Sequence, residues 1–144
     1  MTGGGEYEPS PAGWVRGQVE RILAAGDSRA VTLGGRPVVL VSMLGVSTGR
    51  VRKVPVMRVE HDGRYAVVAS KGGSPRNPEW VANLRANPDV ELLDGTEPQP
   101  MRARELHGAE RDQWWARSVA EFPAYGDYQL KTTRLLPIFL LEPR

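Results

Sequence analysis

Residues 67–88 read VVASKGGSPRNPEWVANLRANP, and this stretch decides the fold. Val67, Val68 and Ala69 form a short apolar run suited to a buried strand. Ser70, Lys71, Gly72 and Gly73 follow with a hydroxyl, a cation and two residues whose backbone turns freely. Asn77 and Pro78 predict a helix over 77–87, with Asn77 as its cap, Pro78 in its first turn and Pro88 beyond its end. A helix N-terminus beside exposed N–H groups and a lysine is a natural seat for a phosphate or carboxylate. The same residues also read as a plain strand-to-helix connection.

Outward from this unit the chain reads as strands with helices inserted among them. Asp62-Gly63 is a strong hairpin signal between a strand over 51–60 and one over 65–70. In the first of these, Val54, Val56 and Met57 are expected to point differently from Arg52, Lys53 and Arg58. Strands are expected over 29–33 and 37–44 about Gly34-Gly35, and the unbroken run Val38-Val39-Leu40-Val41 implies burial on both faces. Ser10 and Pro11 open a helix running to Ala25, with Val15, Val19, Ile22 and Leu23 as its apolar stripe and Gly26 as its stop. Downstream, 90–93 pairs across Asp94-Gly95 with 101–106. A helix over 109–121 carries Trp114, Trp115, Val119 and Phe122, and Pro123 interrupts it. Tyr125 and Tyr128 fall in a short irregular or helical segment, and 135–141 closes as a last strand. The class expected is α+β, mainly β: a small β-barrel with peripheral helices, one domain over 11–144 behind a flexible tail over 1–10.

Composition narrows the chemistry. There is no cysteine among the 144 residues, which excludes disulfides, thiolate metal sites and cysteine nucleophiles. His61 and His107 are the only histidines, so no histidine-rich metal centre is expected and both are read as solvated. No window has the roughly 20 apolar residues of a membrane span and the N-terminus has no signal-peptide core, so a cytoplasmic protein is expected. Arg16, Glu20 and Arg21 give the first helix a mixed-charge outer face, which favours packing on the barrel over weak association with a membrane surface. The net charge of +2 does not point to nucleic acid, and the basic strands lack clustered exposed aromatics. The distribution says more. Arg50, Arg52, Lys53 and Arg58 fall within nine residues, while Lys71 and Arg76 lie in the glycine loop; if the two segments are sheet neighbours they make a basic groove. The alternative is an edge strand protected by charge.

Three blocks now stand in order: Gly45-x-x-Thr48-Gly49-x-x-Arg52-x-x-Pro55, then Ala69-Ser70-Lys71-Gly72-Gly73 with Asn77-Pro78-x-Trp80-x-x-Asn83-Leu84-x-Ala86-Asn87-Pro88, then Pro123-x-Tyr125-x-Asp127-Tyr128-Gln129. With them the chain, from about Val38 to Pro143, resembles the deazaflavin-dependent nitroreductase family. These are actinobacterial F420-dependent reductases, quinone reductases among them, with a split β-barrel fold.

The resemblance implies coenzyme F420 as cofactor, with FMN as the alternative for a barrel of this kind, and hydride transfer from reduced deazaflavin to a quinone-like electrophile. A non-enzymatic F420 carrier or sensor would use the same groove. By similarity Val46, Ser47, Thr48, Arg52, Lys53, Val54, Pro55, Val56 and Met57 line the cofactor, joined by Val68, Ala69, Ser70 and Lys71, with Trp80 and Asn83 completing the wall. Taken alone, Trp80 reads as a core residue. Ser70 is a candidate hydrogen-bond donor to the acceptor or the cofactor, and Tyr125 and Tyr128 are candidates for an aromatic lid; two core aromatics three apart are the other reading. Two positions depart from the family pattern. Val46-Ser47 stands where relatives carry Arg-Lys, which removes two cations from the expected tail contact. Met57 and Phe122 stand where a nitroimidazole-reducing relative has tyrosines.

Overall fold

The computed structural model describes residues 6–144, so the first five residues of the expected tail lie outside the described residues. In chain order the elements are α1 (Gly13–Ala25), β1 (Thr32–Leu33), β2 (Arg36–Leu44), β3 (Val51–Met57), β4 (Glu60–His61), β5 (Arg64–Val68), α2 (Trp80–Ala86), β6 (Asp89–Asp94), β7 (Glu97–Glu105), α3 (Gly108–Glu121), α4 (Ala124–Leu130) and β8 (Ile138–Pro143). Short 3₁₀ turns cover Ser28–Ala30 and Lys71–Gly73.

The apolar run in β2 is buried on both faces, as its unbroken character implies: Val38, Val39, Leu40 and Val41 are all buried. Val39, Val41 and Met43 face a core that includes Val67, Leu92, Met101 and Phe139, while Val38 and Leu40 meet Val19 and Ile22 of α1. A third cluster, with Val68, Leu140 and Trp114, lies under α3 and α4. Side-chain alternation along each strand lets one sheet serve several layers.

The strands form one antiparallel sheet in the order β1-β2-β6-β7-β8-β5-β4, with β3 paired to β2. The expected strand over 51–60 breaks at Arg58 and Val59. The Arg58 N–H donates to the Pro37 carbonyl at 3.1 Å, whereas the Val59 carbonyl accepts from Ala66 N–H at 2.9 Å. The chain thereby passes from the β2 side of the sheet to the β5 side and curls the sheet back on itself. Beyond that crossing β3 stays with β2, and Val67 and Val68 pair only with β8 among the described residues. The two strands part there, leaving a cleft at the split of a half-closed barrel.

Several boundaries moved for local reasons. Residues 28–30 turn instead of extending, because the Asp27 carboxylate accepts from Arg29 N–H and the Ser28 hydroxyl accepts from Gly95 N–H at 2.7 Å. α1 begins at Gly13 instead of Ser10, whose hydroxyl accepts from Ala12 N–H. Gly26 stops α1 as expected, in the left-handed region at φ 64°. Val19 and Ile22 pack on the barrel, but Trp14 and Leu23 stay exposed, so the apolar stripe is narrower than expected. The last strand starts at Ile138, after Pro137, and leaves Leu135 outside. Of the residues expected as a tail, Glu6 to Glu8 run beside β3: Val51 N–H donates to Glu6 O and Glu8 N–H to Val51 O, both at 2.8 Å.

Candidate functional site

The cleft is bounded on one side by the outer edge of β3. Val51 turns both its backbone groups to that edge, where Glu6 and Glu8 take them. In an antiparallel strand every second residue presents its N–H and C=O to the same side, so Lys53, Pro55 and Met57 share this edge, and Pro55 costs no bond there. Side chains alternate as well. Arg52, Val54 and Val56 stand opposite Met43, Val41 and Val39, whereas Lys53 stands opposite Ser42 and donates to its hydroxyl at 2.8 Å. This corrects the expected grouping: Arg52 shares its face with Val54 and Val56, and Lys53 shares the other with Met57, since neighbouring strand residues point to opposite faces. Lys53 lies under Tyr7, 5.8 Å from its ring centroid, and burial holds its ammonium below the usual lysine range. Pro55 and Met57 are buried too, Met57 in the cluster beneath α4.

The 45–50 loop folds on itself. Gly45 N–H donates to Arg50 O and Gly49 N–H to Gly45 O, both at 2.8 Å, and the Thr48 hydroxyl accepts from Arg50 N–H. Buried Asn83 of α2 anchors it, accepting from Val46 N–H at 2.9 Å. The Val46, Ser47 and Thr48 side chains remain exposed. Trp80, one turn before Asn83, meets Phe139 edge-on at 6.2 Å and packs with Val54 and Val56 against the core that contains Ala69.

On the opposite side, β5 runs into the glycine loop. Val68 and Ala69 are buried, Ser70 is half-buried and Lys71 is exposed. Lys71, Gly72 and Gly73 all have positive φ, at 44°, 62° and 81°. The Ser70 hydroxyl makes no capping bond in this turn. α2 begins at Trp80, not at Asn77, and has only seven residues. The Asn77 side chain is engaged elsewhere, accepting from Arg134 at 2.8 Å, so it does not cap the helix. The helix N-terminus expected as an anion seat is therefore not formed at Asn77, and the positive charge of the loop is that of its cations. Among the described residues Arg50, Lys71 and Arg76 have no acidic partner. Arg52 does: its guanidinium meets Glu8 at 2.9 Å.

Phe122, Tyr125 and Tyr128 form an edge-on aromatic cluster, with centroids 4.9 to 6.4 Å apart, that packs with Met57 and Val68. Tyr125 is 5% exposed, and burial, reinforced by Tyr128, pushes its hydroxyl well above the usual tyrosine range. It is a core residue, which corrects its expected place in a lid; Tyr128 alone of the pair is half-exposed.

Sequence reasoning missed Arg134. Its guanidinium donates to the carbonyls of Ser74 at 2.8 Å, Ser70 at 2.9 Å and Ala69 at 3.1 Å, besides Asn77. A lone arginine in KTTRLLP carries no mark of such a role. Glu8 was missed as well, hidden in a segment read as a tail. A surface depression of about 610 Å³ lies along α2 between Asn77 and Ala86, and one of about 350 Å³ lies between Arg29, Arg58 and Asp94. Arg58, expected in the basic groove, lines the second instead and meets Asp94 there at 3.0 Å, which corrects its place. What distinguishes the gap between β3 and β5 among the described residues is its unpaired strand edges and its charge. No group of three or more histidine or acidic side chains suited to a metal occurs among the described residues, and none of their helices is long and apolar enough to cross a membrane.

Comparison with known proteins agrees with this architecture. The family model for F420H(2)-dependent quinone reductase matches residues 14–143. An F420H(2)-dependent quinone reductase of Mycobacterium tuberculosis is 32% identical over 114 residues, covering 77% of this chain and 76% of that protein. A solved F420-H2 dependent reductase, FDR-A, is 50% identical, covers 74% of this chain and 95% of its own, and superposes with a TM-score of 0.71. Another solved chain, described as a domain-swapped dimer, is 49% identical with a TM-score of 0.73 and covers 92% of this chain and all of its own. The haem storage protein HutZ of Vibrio cholerae, at 16% identity and a TM-score of 0.55, shares the fold alone. The chain belongs to the F420H(2)-dependent quinone reductase family.

Proposed function

We propose that this chain binds coenzyme F420 across the cleft between β3 and β5 and reduces quinones with its reduced form. The observation that carries the reading is the set of cations with no acidic partner among the described residues, Arg50, Lys71 and Arg76, on the two loops that flank the free edge of β3 and the end of β5. A flat ring with a phosphate and a glutamate tail needs an apolar slot that opens into positive charge. Val54, Val56 and Trp80 supply the apolar wall, partly buried against the core. The backbone of Lys53, Pro55 and Met57 supplies hydrogen-bonding groups along the edge.

Bound F420H2 would supply a hydride and release one proton to solvent as it is oxidised, and the quinone would gain the hydride and one proton to become the hydroquinone. The chain's own residues position and shield. The Ser70 hydroxyl, free of any capping bond, donates to the acceptor or to the cofactor. Tyr128 closes the slot from the α4 side, with Tyr125 buried beneath it as support. Met57 and Phe122 present no hydroxyls there, so activity on nitroimidazoles does not carry over.

The test is a fluorescence titration with F420 alongside FMN. F420 should bind more tightly, and Arg50→Ala and Lys71→Ala should each weaken it about 10-fold to 150-fold, the effect of losing a charge-assisted hydrogen bond. Unchanged titrations for both variants would refute the placement.

A further inference from the structure

We propose that Arg134 is a positioning residue for the cofactor loop, setting Ser70 and Lys71 in place without touching the cofactor itself; this rests on the function proposed above. Arg134 lies 57 to 65 residues away in sequence from the four acceptors it binds. Nε reaches Ser74 O, Nη1 reaches both Ala69 O and Asn77 Oδ1, and Nη2 reaches Ser70 O, so four of the five guanidinium donors are used. Only a planar fork spans so many acceptors at once; an ammonium is a point.

The loop is otherwise held by two turn bonds, Gly73 N–H to Ser70 O at 2.9 Å and Ser74 N–H to Lys71 O at 3.1 Å, and by the seating of Gly73 on α4. Two of its residues are glycines, and Lys71 sits at a positive φ that a lysine rarely adopts. In a trans peptide the C=O and the next N–H point opposite ways. Drawing Ser70 O toward Arg134 therefore turns the Lys71 N–H away from it, toward the opposite side of the loop. No carboxylate neutralises Arg134 among the described residues, so its charge adds to that of Lys71. Burial lowers its pKa, as expected for a guanidinium compensated by carbonyls alone.

The same clasp reaches the aromatic wall. Gln129 in α4 donates to Arg134 O at 2.8 Å and accepts from Leu136 N–H at 3.0 Å, which folds 130–136 tightly. Gly73 packs so closely on α4 that a Cβ there would lie 2.7 Å from Tyr128 O. Arg134 thus ties the loop of Ser70 and Lys71 to the helix that carries Tyr128, fixing the glycine loop and the aromatic wall together.

Steady-state kinetics of the full chain, varying F420H2 and menadione separately, test this with Arg134→Gln and Arg134→Lys. The glutamine variant should raise KM for F420H2 and Kd for F420 about 10-fold to 100-fold, more than it raises KM for menadione. The lysine variant, which keeps the charge but not the fork, should fall between. A purely structural role lowers the active fraction, and hence kcat, and leaves both KM values alone. Wild-type KM for F420H2 in Arg134→Gln, or in Arg134→Lys should the glutamine variant not fold, overturns the proposal while the F420 reading stands. A wild-type protein that neither binds F420 nor oxidises F420H2 overturns both.

Discussion

Gly73→Ala should destabilise the protein far more than Gly72→Ala, although the two glycines are adjacent and both left-handed. A Cβ on Gly73 would lie 2.7 Å from Tyr128 O, 2.9 Å from Lys131 Cβ and 3.1 Å from Tyr128 Cα, whereas one on Gly72 meets nothing within 4 Å. Left-handed backbone costs an alanine about 1–2 kcal/mol. The stiffer unfolded chain returns about 0.4–1 kcal/mol of that. Gly72→Ala should therefore cost roughly 1 kcal/mol. Gly73→Ala bears the same cost plus about 1–3 kcal/mol of overpacking, because two of the three crowded atoms are backbone and cannot swing aside. For a chain of this size about 2–4 °C of Tm accompanies each kcal/mol, so the variants should differ by roughly 2–12 °C. Thermal melts followed by circular dichroism measure this directly. Equal Tm values would refute the close seating of α4 on the loop. The crowded variant should also lose more F420 affinity.

Glu8→Gln should free the Arg52 guanidinium and tighten F420 binding up to about 5-fold at low salt, the range of a partly exposed ion pair; an unchanged titration would mean that Arg52 does not face the anionic tail. Val46→Arg with Ser47→Lys should tighten binding by about 0.5–2 kcal/mol, more for longer glutamate tails and less as salt rises; equal binding of long and short tails would show that this exposed loop faces elsewhere. Tyr65, 5% exposed and donating to Asp94 at 2.6 Å, has its hydroxyl pushed up to about 12 by burial and by that bond. Its folded pKa exceeds its unfolded value near 10, so the stability it contributes is complete below pH 10 and lost as pH rises toward 12. Denaturant midpoints for the wild type should fall across that window more steeply than those of Tyr65→Phe, and parallel slopes would contradict the assignment.

The fold was legible where one physical demand dominated. The run Val38 to Val41 required burial on both faces, Asp62-Gly63 turned as expected, and Gly26 stopped α1. The order of the three blocks carried the family, and with it the split of the barrel. What was not legible depended on partners distant in sequence. Asn77 has every local property of a cap, yet Arg134 takes its side chain from 57 residues away, and α2 starts later. Arg52 and Lys53 look alike as neighbouring cations, but strand alternation sends one to Glu8 and the other to Ser42. Tyr125 and Tyr128 look equivalent three residues apart, and only the packing of α4 buries the first. Glu8 sits in a segment of low apolar content whose order comes from two backbone bonds to Val51.

The central claim is that this chain oxidises reduced F420 with a quinone as acceptor. Mixing purified protein with F420H2 and menadione, and following the return of oxidised deazaflavin fluorescence, tests it most directly. Oxidation should depend on both enzyme and quinone, should saturate in F420H2, and should fall in Lys71→Ala through a higher KM. A rate no greater than the uncatalysed mixture, with the protein folded and F420H2 intact, would contradict the account.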